Sequence, residues 1–590
     1  MKNLKKYITR INLQLLLIFL LPTIATAQGG WQWATNYGGD RNPPVETVSS
    51  LQTDQWGNIY IAGTITDIYQ RDSAGNVLYD SNFFPLLHNY GKEDIWVAKY
   101  SPTGKSLWHE YAGSGNPDAL GGLVVDQDGN SYLIGRLSYN SFRLPHTFNH
   151  KRISNDSLST FIAKLDSSGK LLWHKPLGYD SINNRSVSLG GSGFYLNRNN
   201  HIEFLALSDS RKLIFNVDTI DEGWYSLELD LNGNFIKSKR LPFRDYQNSF
   251  FFQRSSIDKW GNYYFFNHFS SDTLFLLNDT IIRNGQNVAN GIVLAIDSNA
   301  NFKWSFVSQN IYDPITNGTV VGDTIIVSTD INSSQTDTVF FGNQKYKTST
   351  RTSQESALLF LDANNGSVMG LRHNSGWNNM TSVTSGVAAN KDFMAIGGNF
   401  RGKMSFSGTT NYMESVSKSS GFSNSDNFFA LFDRQGNFIC EDFLYTFGSV
   451  DGIQQITFVD STIYVAGFFS DTLYVNGDTL IAAGGNDIFL ARYDLPCGKG
   501  IPVGIKNKYI PAENGVLVYP NPAAEFTNLI GKPISNTAQL LDIKGQVVKS
   551  FSLDVNAIQQ QIPLNEIEPG IYFLTIVGNK EKQVLKIVKK

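Results

Sequence analysis

The stretch IYVAGFFSDTLYVNGDTLIAAGGNDIFLARYDLPCG, residues 463–498, is the clearest copy of a unit that the chain repeats. It contains three short alternating or apolar runs, Ile463–Ala466, Thr472–Val475 and Ile488–Tyr493, which Gly and Asn residues separate. Such runs predict three antiparallel strands in a meander. A fourth strand is expected after Asp494, as in earlier copies, but the repeat ends there.

An apolar strand that ends in Asp and a turn marks each copy. The marker segments are Trp96–Lys105, Phe161–Lys170, Tyr225–Asn234, Ile292–Asn301, Ala357–Gly366, Phe428–Asn437 and Phe489–Gly498. The aligned position is Ser101 in the first copy and Asp494 in the last, so that six intervals average about 65 residues. This regular period over seven copies indicates a repeat architecture.

A tight-turn signature, Asp-x-x-Gly-Asn-x-Tyr, precedes the marker in three copies, at Asp54–Tyr60, Asp126–Tyr132 and Asp258–Tyr264. Gly and Asn tolerate positive φ and Asp caps its own turn, so the signature predicts the turn between strands one and two. The seventh copy shortens this turn, and the fifth and sixth copies lack its motif. The third copy has residues 196–200 in its place.

The beginning of the chain supplies the missing fourth strand. Trp108 and Trp173, in two predicted fourth strands, each stand five residues before a glycine, and Trp33 stands in the same relation to Gly38. We therefore predict that Trp33–Gly38 completes the last unit and that this pairing closes a ring.

Four short strands per unit, without helical periodicity, favour radial packing of four-stranded sheets, which leaves only short edges. An open solenoid would instead expose two end faces that need caps. The two repeated motifs resemble the bacterial seven-bladed β-propeller repeat of the SBBP type over about Trp31–Cys497. We expect an all-β chain in which residues 28–498 form a seven-bladed β-propeller, closed by the N-terminal strand and followed by a small C-terminal β-sandwich.

Residues 1–27 are predicted to be a signal peptide, because a basic segment precedes a short apolar run and a small-x-small cleavage site. Cleavage is expected between Ala27 and Gln28. The formal net charge of -3 becomes -7 without the four basic residues of this segment, so nothing indicates nucleic acid as a partner. No other stretch approaches a transmembrane length, and the mature protein is expected to be exported, soluble and monomeric.

The two cysteines of the chain, Cys440 and Cys497, are a candidate disulfide, because an exported protein enters a compartment in which disulfides persist. Two buried free thiols are the alternative.

The composition changes after the repeats. Residues 499–514 read as a linker, and residues 515–590 contain the alternating strands of a compact β-sandwich. The motifs of this segment are Tyr519-Pro520-Asn521-Pro522, Asp542-x-x-Gly545-Gln546 and Pro569-Gly570-Ile571-Tyr572. In this order they resemble the type A C-terminal sorting domain of the type IX secretion system.

That resemblance implies a route typical of Bacteroidetes, with export to the periplasm followed by passage across the outer membrane. It also implies the type IX machinery as a partner and either release or attachment to surface lipopolysaccharide. An ordinary accessory β-domain is the alternative.

The residue patterns indicate no catalytic, cofactor or metal site. His146 and His150 are four residues apart, but Pro145 and the all-β context predict a surface loop rather than a zinc pair. Asp126–Asn130 has some acids of a calcium loop but lacks its bidentate Glu, so a turn is predicted. No nucleophile elbow, phosphate loop or catalytic cysteine context is present in the sequence.

Asp followed by Ser or Thr and an aliphatic residue recurs at Asp156, Asp218, Asp272, Asp337 and Asp471. This pattern resembles the O-glycosylation sequon of exported Bacteroidetes proteins. Several copies occupy the same place in the repeat, so a structural role at a strand edge explains them equally well.

The leading functional hypothesis is a non-catalytic binding or adhesion role toward an extracellular glycan or protein, because propellers present loops around a central channel. The first alternative is a polysaccharide lyase or hydrolase whose acids come from different blades at the channel mouth. The second is a structural surface component. Fold alone does not separate these classes.

Overall fold

Turns rich in Gly, Asn and Asp divide the chain into short antiparallel strands, as the repeated motifs predict. In a computed structural model the described residues form strands, turns and bends without a helix, which confirms the all-β prediction. Within the part of the chain that the structure describes, no helical segment has the length and hydropathy of a membrane span. The structure describes residues 30–38, 46–66, 93–114, 116–137, 146–148, 151–154, 159–177, 179–180, 185–186, 188–208, 212–214, 218–243, 254–269, 273–276, 280–282, 290–308, 315–332, 338–341, 344–347, 354–376, 381–407, 413–415, 425–446, 451–476, 478–495, 516–519, 523, 525–530, 533–557, 559–578 and 582–589.

Each copy of the repeat contributes one run of four paired antiparallel strands, and we number these runs sheets 1 to 7. Within the described residues, their first to fourth strands are Thr47–Thr53, Ile59–Ile65, Asp94–Tyr100 and Ser106–Gly113 in sheet 1; Ala119–Val125, Ser131–Leu137, Ser159–Leu165 and Leu171–Pro176 in sheet 2; Ser188–Leu196, Ile202–Ser208, Gly223–Leu229 and Phe235–Arg240 in sheet 3; Arg254–Ile257, Tyr263–Phe269, Asn290–Ile296 and Phe302–Val307 in sheet 4; Ile315–Val321, Thr324–Asn332, Gln354–Asp362 and Val368–His373 in sheet 5; Thr381–Ala389, Phe393–Arg401, Asp426–Asp433 and Phe438–Thr446 in sheet 6; and Gly452–Val459, Thr462–Val475, Asp478–Asp494 and Gly30–Tyr37 in sheet 7.

Short additional strands lie in the connections between these sheets and in the connections between strands of one sheet. They are His146–Phe148, Lys151–Ser154, Tyr179–Asp180, Arg185–Ser186, Lys212–Ile214, Asp218–Ile220, Thr273–Phe275, Thr280–Ile282, Thr338–Phe341, Gln344–Lys347, Ser375–Gly376, Lys403–Ser405 and Met413–Glu414. Sheets 5, 6 and 7 are joined through short bridges, such as Gln354 to Thr381, into one 12-stranded sheet.

The fourth strand of sheet 7 comes from the N-terminal end of the described chain. Gly30–Tyr37 pairs antiparallel with Asp478–Asp494, so that Ala34 lies opposite Ala491. The predicted pairing of the N-terminal strand with the last unit is therefore confirmed.

Residues 463–498 contain fewer and longer strands than predicted. Ile463–Ala466 and Thr472–Val475 both lie in the strand Thr462–Val475, so the prediction of a separate strand at Thr472 is wrong. Gly467 keeps its place in the ladder instead of ending it. The ladder continues past a bulge at Asp471, whose φ of 67° absorbs the irregularity.

The third copy forms the standard first turn despite its different sequence. In sheet 1, Oδ1 of Asp54 accepts the backbone N–H groups two and four residues later. In sheet 3, Oδ1 of Asn197 accepts the N–H groups of Asn199 and His201 in the same way. Asn200 takes the positive φ that glycine takes elsewhere, at 58°. An amide oxygen therefore replaces the carboxylate as the cap of this turn.

Apolar clusters hold successive sheets together. Each of the first six consecutive pairs of sheets shares a buried cluster, among the described residues, that draws side chains from both members. A further cluster joins sheets 7 and 1, where Ile61 and Trp96 pack with Tyr464 and Leu490. Burial of apolar area between faces of neighbouring sheets is therefore the main stabilising term of this region.

Tryptophans of four fourth strands pack on a turn of the following sheet. Trp108 donates its indole Nε1–H to the carbonyl oxygen of Ser167 at 3.2 Å, and its ring lies over Gly169. Gly169 has a φ of +89°, and a Cβ there would stand 2.8 Å from the ring, so this position requires glycine. The equivalent ring-to-glycine contacts are Trp33 on Gly104, Trp173 on Gly233 and Trp304 on Gly366.

Residues 517–589 form two further antiparallel sheets around a shared core. One sheet contains Leu517–Tyr519, Phe526–Ile530 and Gln559–Pro563; the other contains Val547–Ser552, Thr537–Leu541, Gly570–Val577 and Lys582–Lys589. Leu529 and Ile562 of the first sheet are buried with Leu540 and Leu574 of the second.

Candidate binding face formed by the turns

The first and third turns of an antiparallel four-stranded sheet lie at the same end of that sheet, and we call this end of sheets 1 to 7 the turn face. Turns of neighbouring sheets contact each other here. Gln55 Nε2 donates to the carbonyl oxygen of Gln127 at 2.7 Å, and Asn390 Nδ2 donates to that of Asp460 at 2.9 Å. The turns therefore form one continuous surface across these neighbours.

A buried aspartate holds each signature turn in place. In sheet 2, Oδ1 of Asp126 accepts the N–H groups of Asp128 and Asn130, while Oδ2 accepts Asn130 Nδ2 and the hydroxyl of Tyr132. Burial and the neighbouring carboxylate raise the pKa of Tyr132, so its hydroxyl stays a donor. These bonds confirm the prediction of a turn at Asp126–Asn130.

Two tryptophans on the signature turns are partly exposed to solvent. Trp56 keeps 57% of its surface exposed, although its backbone is fixed to Asp54 and its ring edge lies beside Gly129. Trp260 occupies the same turn position in sheet 4 and is 43% exposed, with the ammonium of Lys259 4.4 Å from its ring centroid. The turn face thus carries exposed aromatic surface beside polar groups.

Sheet 3 departs from the charge pattern of sheets 1 and 2, in which a lysine stands over the signature tyrosine. In sheet 2, Tyr132 lies opposite Lys164, whose ammonium stands 4.9 Å from the ring centroid. The aligned cross-strand pair in sheet 3 is Glu203 and Glu228. A lysine over a tyrosine is therefore replaced by two directly opposed carboxylates, which would repel each other if nothing compensated them.

The neighbours of the two carboxylates supply that compensation. Asn197 Nδ2 donates to both, at 3.1 Å in each case, and Glu203 also accepts the hydroxyls of Ser226 and Tyr263. Glu228 further accepts from His201 Nδ1 at 2.7 Å. The cluster therefore satisfies both acids internally.

The protonation state of Glu228 follows from the same contacts. Burial alone would raise the pKa of Glu228, but the bonds from His201, Asn197 and Lys237 outweigh it and lower that pKa. Ionised Glu228 can only accept, so Nδ1 of His201 is the donor and carries a hydrogen. The side chains of His201 and Lys237 remain 32% and 55% exposed, and they form the solvent side of the cluster.

This acid cluster was not found in the sequence. The signal was present, because alignment of the seven copies places Glu203 where three other copies have the signature tyrosine. The arrangement presents a cation and an imidazole to solvent while both carboxylates are only 4% and 5% exposed. It is therefore better suited to polar contact with a ligand than to paired-acid catalysis.

The remaining predicted site residues lie elsewhere. His146 begins the short strand His146–Phe148, so the loop prediction is wrong for this residue, because the segment pairs with the fourth strand of sheet 1. His150 lies outside the described residues, as do Ala27 and Gln28. No group of three or more His, Cys, Asp or Glu side chains is placed to hold a metal ion in the described part of the chain.

Cys440 lies in the fourth strand of sheet 6 and is disulfide-bonded, while Cys497 lies outside the described residues. Cys440 faces Leu431 beside the bulge of that sheet. Trp108 faces Lys99 beside the equivalent bulge of sheet 1.

The sorting-motif residues fall on the C-terminal sheets. Tyr519 ends the strand Leu517–Tyr519, and the following Pro520, Asn521 and Pro522 lie outside the described residues. Gly545, with a φ of +80°, closes a turn capped by Asp542.

The last motif turns the chain into its central strand. Pro569 precedes Gly570, the first residue of the strand Gly570–Val577. The hydroxyl of Tyr572 donates to the carbonyl oxygen of Glu568 at 2.8 Å, which fixes the entry to this strand.

Residues 517–590 match the family described as the secretion system C-terminal sorting domain. This domain marks proteins that the type IX secretion system exports, so the chain is a type IX cargo that engages that machinery. The protein is located at the cell surface or in the extracellular space, which confirms the predicted destination.

Similarities to solved structures span most of the chain at low identity. A protein of unknown function from Dyadobacter fermentans is 8% identical, with 78% of this chain and 99% of that chain covered and a TM-score of 0.30. PorZ, a surface component of the type IX secretion system of Porphyromonas gingivalis, is 9% identical, with 92% and 93% covered and a TM-score of 0.23. A Synechocystis apocarotenoid oxygenase variant is 8% identical, with 93% and 94% covered and a TM-score of 0.23. Among curated protein sequences, none matches this chain.

Proposed function

We propose that residues 28–498 form a seven-bladed β-propeller of the SBBP type and that its turn face binds an extracellular glycan without catalysis. The remaining segments would be a signal peptide at 1–27, a linker at 499–514 and the sorting domain at 515–590. The protein would act as a monomer, either released or attached to surface lipopolysaccharide.

The contacts between sheets 7 and 1 support the propeller. Besides the shared apolar cluster, the backbone N–H of Val48 in sheet 1 donates to Gln454 Oε1 in sheet 7 at 2.7 Å. Trp33 of sheet 7 packs on Gly104 of sheet 1 as Trp108 packs on Gly169. The last and first sheets thus make the same kind of contact as consecutive sheets.

The exposed indole of Trp56 carries the binding proposal. A large aromatic surface on a turn that is fixed through Asp54 costs little conformational entropy when a ligand covers it. Gln55 and Asp128 lie beside it on the turns of sheets 1 and 2 and supply polar groups for sugar hydroxyls. An aromatic platform with polar neighbours favours a glycan over an apolar ligand.

The test uses the exported protein on immobilised polysaccharides and glycoproteins, with retention and product formation both recorded. We expect Trp56→Ala to weaken retention about tenfold, from the loss of about 1.4 kcal/mol of stacking. Ile481→Ala is the matched control, because Ile481 is 56% exposed on the third strand of sheet 7, near the end opposite to the first and third turns. Equal retention of both variants would refute the proposal, and retention on proteins alone would replace glycan with a protein ligand.

An enzyme, a lyase or hydrolase, is the second candidate, and the opposed pair Glu203 and Glu228 would then supply its acids. New reducing ends or unsaturated products in the same assay, abolished by Glu203→Gln, would establish it and overturn the binding role. If the protein is not retained and no products form, a structural surface component is favoured.

We also propose that Cys440 and Cys497 form the disulfide. Cys440 occupies the register position of the packing tryptophans, and Cys497 is the third residue after Asp494, as Gly104 is after Ser101. The repeat thus places the two cysteines where a tryptophan and its glycine stand elsewhere. A covalent bond would replace that contact between sheets 6 and 7.

A further inference from the structure

Large apolar side chains are exposed unusually often in the C-terminal region. Among the described residues, fifteen large hydrophobic side chains are exposed, and eight of them belong to residues 517–590. This segment is a small fraction of the chain, so the concentration is not explained by isolated surface residues. Exposed apolar patches of this kind mark interaction sites.

Five of the eight lie on the second C-terminal sheet, and one of them, Val548, is the unpaired residue of a bulge. Val547, Ile571, Val577 and Val584 are 52%, 43%, 58% and 44% exposed. We call the side of the sheet that carries them the outer sorting face.

Strand register shows that this is one continuous face. Val584 lies opposite Thr575, which is two residues from Val577 on the same strand. The next cross-strand pair, Leu574 and Leu585, points to the core. Side chains alternate between the two faces of a strand, so Ile571, Phe573, Thr575 and Val577 share the outer side.

The charge of this sheet has a single sign. Its four strands contain Lys549, Lys582, Lys586 and Lys589 and neither Asp nor Glu, although Lys549 pairs with Glu566 from outside these strands. Lys582 and Lys586 alternate with Val584 on the outer sorting face. The whole chain is acidic, so the basic character is local. A partner that covers this face must be apolar at its centre and acidic at its rim.

We propose that the outer sorting face docks on an apolar surface rimmed with carboxylates, on a protein of the type IX machinery. The proposal rests on the match of residues 517–590 to the sorting domain. It is independent of the glycan proposed for the turn face, because it concerns a different region and a different readout. Burial of the exposed valines and the isoleucine would supply affinity, and the lysines would supply orientation.

The experiment expresses the full chain in a bacterium with an active type IX system and measures the fraction found outside the outer membrane. Val584→Asp and Val577→Asp each place a carboxylate on the outer sorting face. We expect each to lower the exported fraction about tenfold and to leave the protein in the periplasm. Ile543→Asp is the matched control, because Ile543 is 73% exposed in a turn of the same domain and not on a strand of this face.

Two further measurements separate docking from misfolding. Variants recovered from the periplasm should resist limited proteolysis as the wild type does. The double variant Lys582→Glu, Lys586→Glu should also lower export, although it removes no apolar surface.

Wild-type export of Val584→Asp would overturn the proposal, as would equal loss in Ile543→Asp. A wild-type dimer that Val584→Asp converts to an exported monomer would also overturn it, because the face would then be covered by a second copy.

Discussion

Trp33, on the N-terminal strand, donates its indole Nε1–H to the backbone carbonyl oxygen of Pro102 in sheet 1, at 3.2 Å. Trp108 of sheet 1 makes the same bond to Ser167 of sheet 2 at the same distance. The N-terminal strand thus contacts sheet 1 in the same way that the fourth strand of sheet 1 contacts sheet 2.

Replacing Trp33 by Ala should therefore destabilise the repeat region strongly. The variant loses the packing on Gly104 and the bond to Pro102, and we expect the free energy of unfolding to fall by about 2–4 kcal/mol. Denaturant unfolding followed by fluorescence measures the change. Trp260→Ala, at an exposed turn position, should change it by less than about 0.5 kcal/mol. Equal effects of the two variants would contradict a closing role of Trp33.

Loss of the disulfide should be as costly as loss of a packing tryptophan. Cys440→Ser is expected to lower the free energy of unfolding by about 4 kcal/mol in the chain-entropy model, because the bond closes a loop of nearly sixty residues. Reductant should remove the same amount from the wild type and nothing from the variant. Peptide mapping without reduction identifies the partner, and alkylation of both cysteines in the untreated protein would exclude the bond.

Asp451 should make stability depend on pH. It is fully buried before the first strand of sheet 7, where Oδ1 accepts the N–H of Ser470 at 2.7 Å and the hydroxyl of Thr446 bonds Oδ2. Burial raises the pKa of Asp451 to about 7, and the charge of nearby Asp426 adds to the rise. The folded state therefore binds a proton that the unfolded state has lost between about pH 4 and pH 7.

The contribution of this proton to the free energy of unfolding is complete below about pH 4, and it is lost as the pH rises through 7. Asp451→Asn mimics the protonated form, so it should flatten this dependence and exceed the wild type by about 2–4 kcal/mol above pH 7. Chemical unfolding of both proteins between pH 4 and pH 8 measures the difference, which cancels contributions from other buried acids. A constant difference across this range would show that Asp451 is ionised throughout.

Restoring the consensus aspartate in sheet 3 should destabilise the protein. Asn197→Asp removes the amide that donates to Glu203 and Glu228 and adds a third negative charge. We expect a loss of about 1–3 kcal/mol at neutral pH, which chemical unfolding measures. Asn199→Asp, exposed in the same turn, is the control and should be nearly neutral. A stabilised Asn197→Asp variant would show that Asn197 is only a turn cap.

Much of the architecture could be read from the sequence because turn chemistry is local. The cap at Asp54 or Asp126 and the positive φ of its glycine are decided within five residues, so the repeated motif predicted strand ends correctly. The relation of Trp33 to Gly38 likewise placed the N-terminal strand, because that spacing recurs in other fourth strands. The C-terminal motifs predicted the sorting domain and hence the destination of the protein.

The tertiary structure decided what depends on neighbouring strands and sheets. Trp96 is fully buried and Trp56 is mostly exposed, although both are tryptophans within one copy of the repeat. The opposition of Glu203 and Glu228 needs the register of two strands. The burial and the electrostatic environment of a side chain depend on residues that are distant in sequence, whereas the conformation of a turn depends on adjacent residues. The sequence by itself therefore determined the repeat, its turns and the export route, and the packing of the sheets determined which side chains a partner can reach.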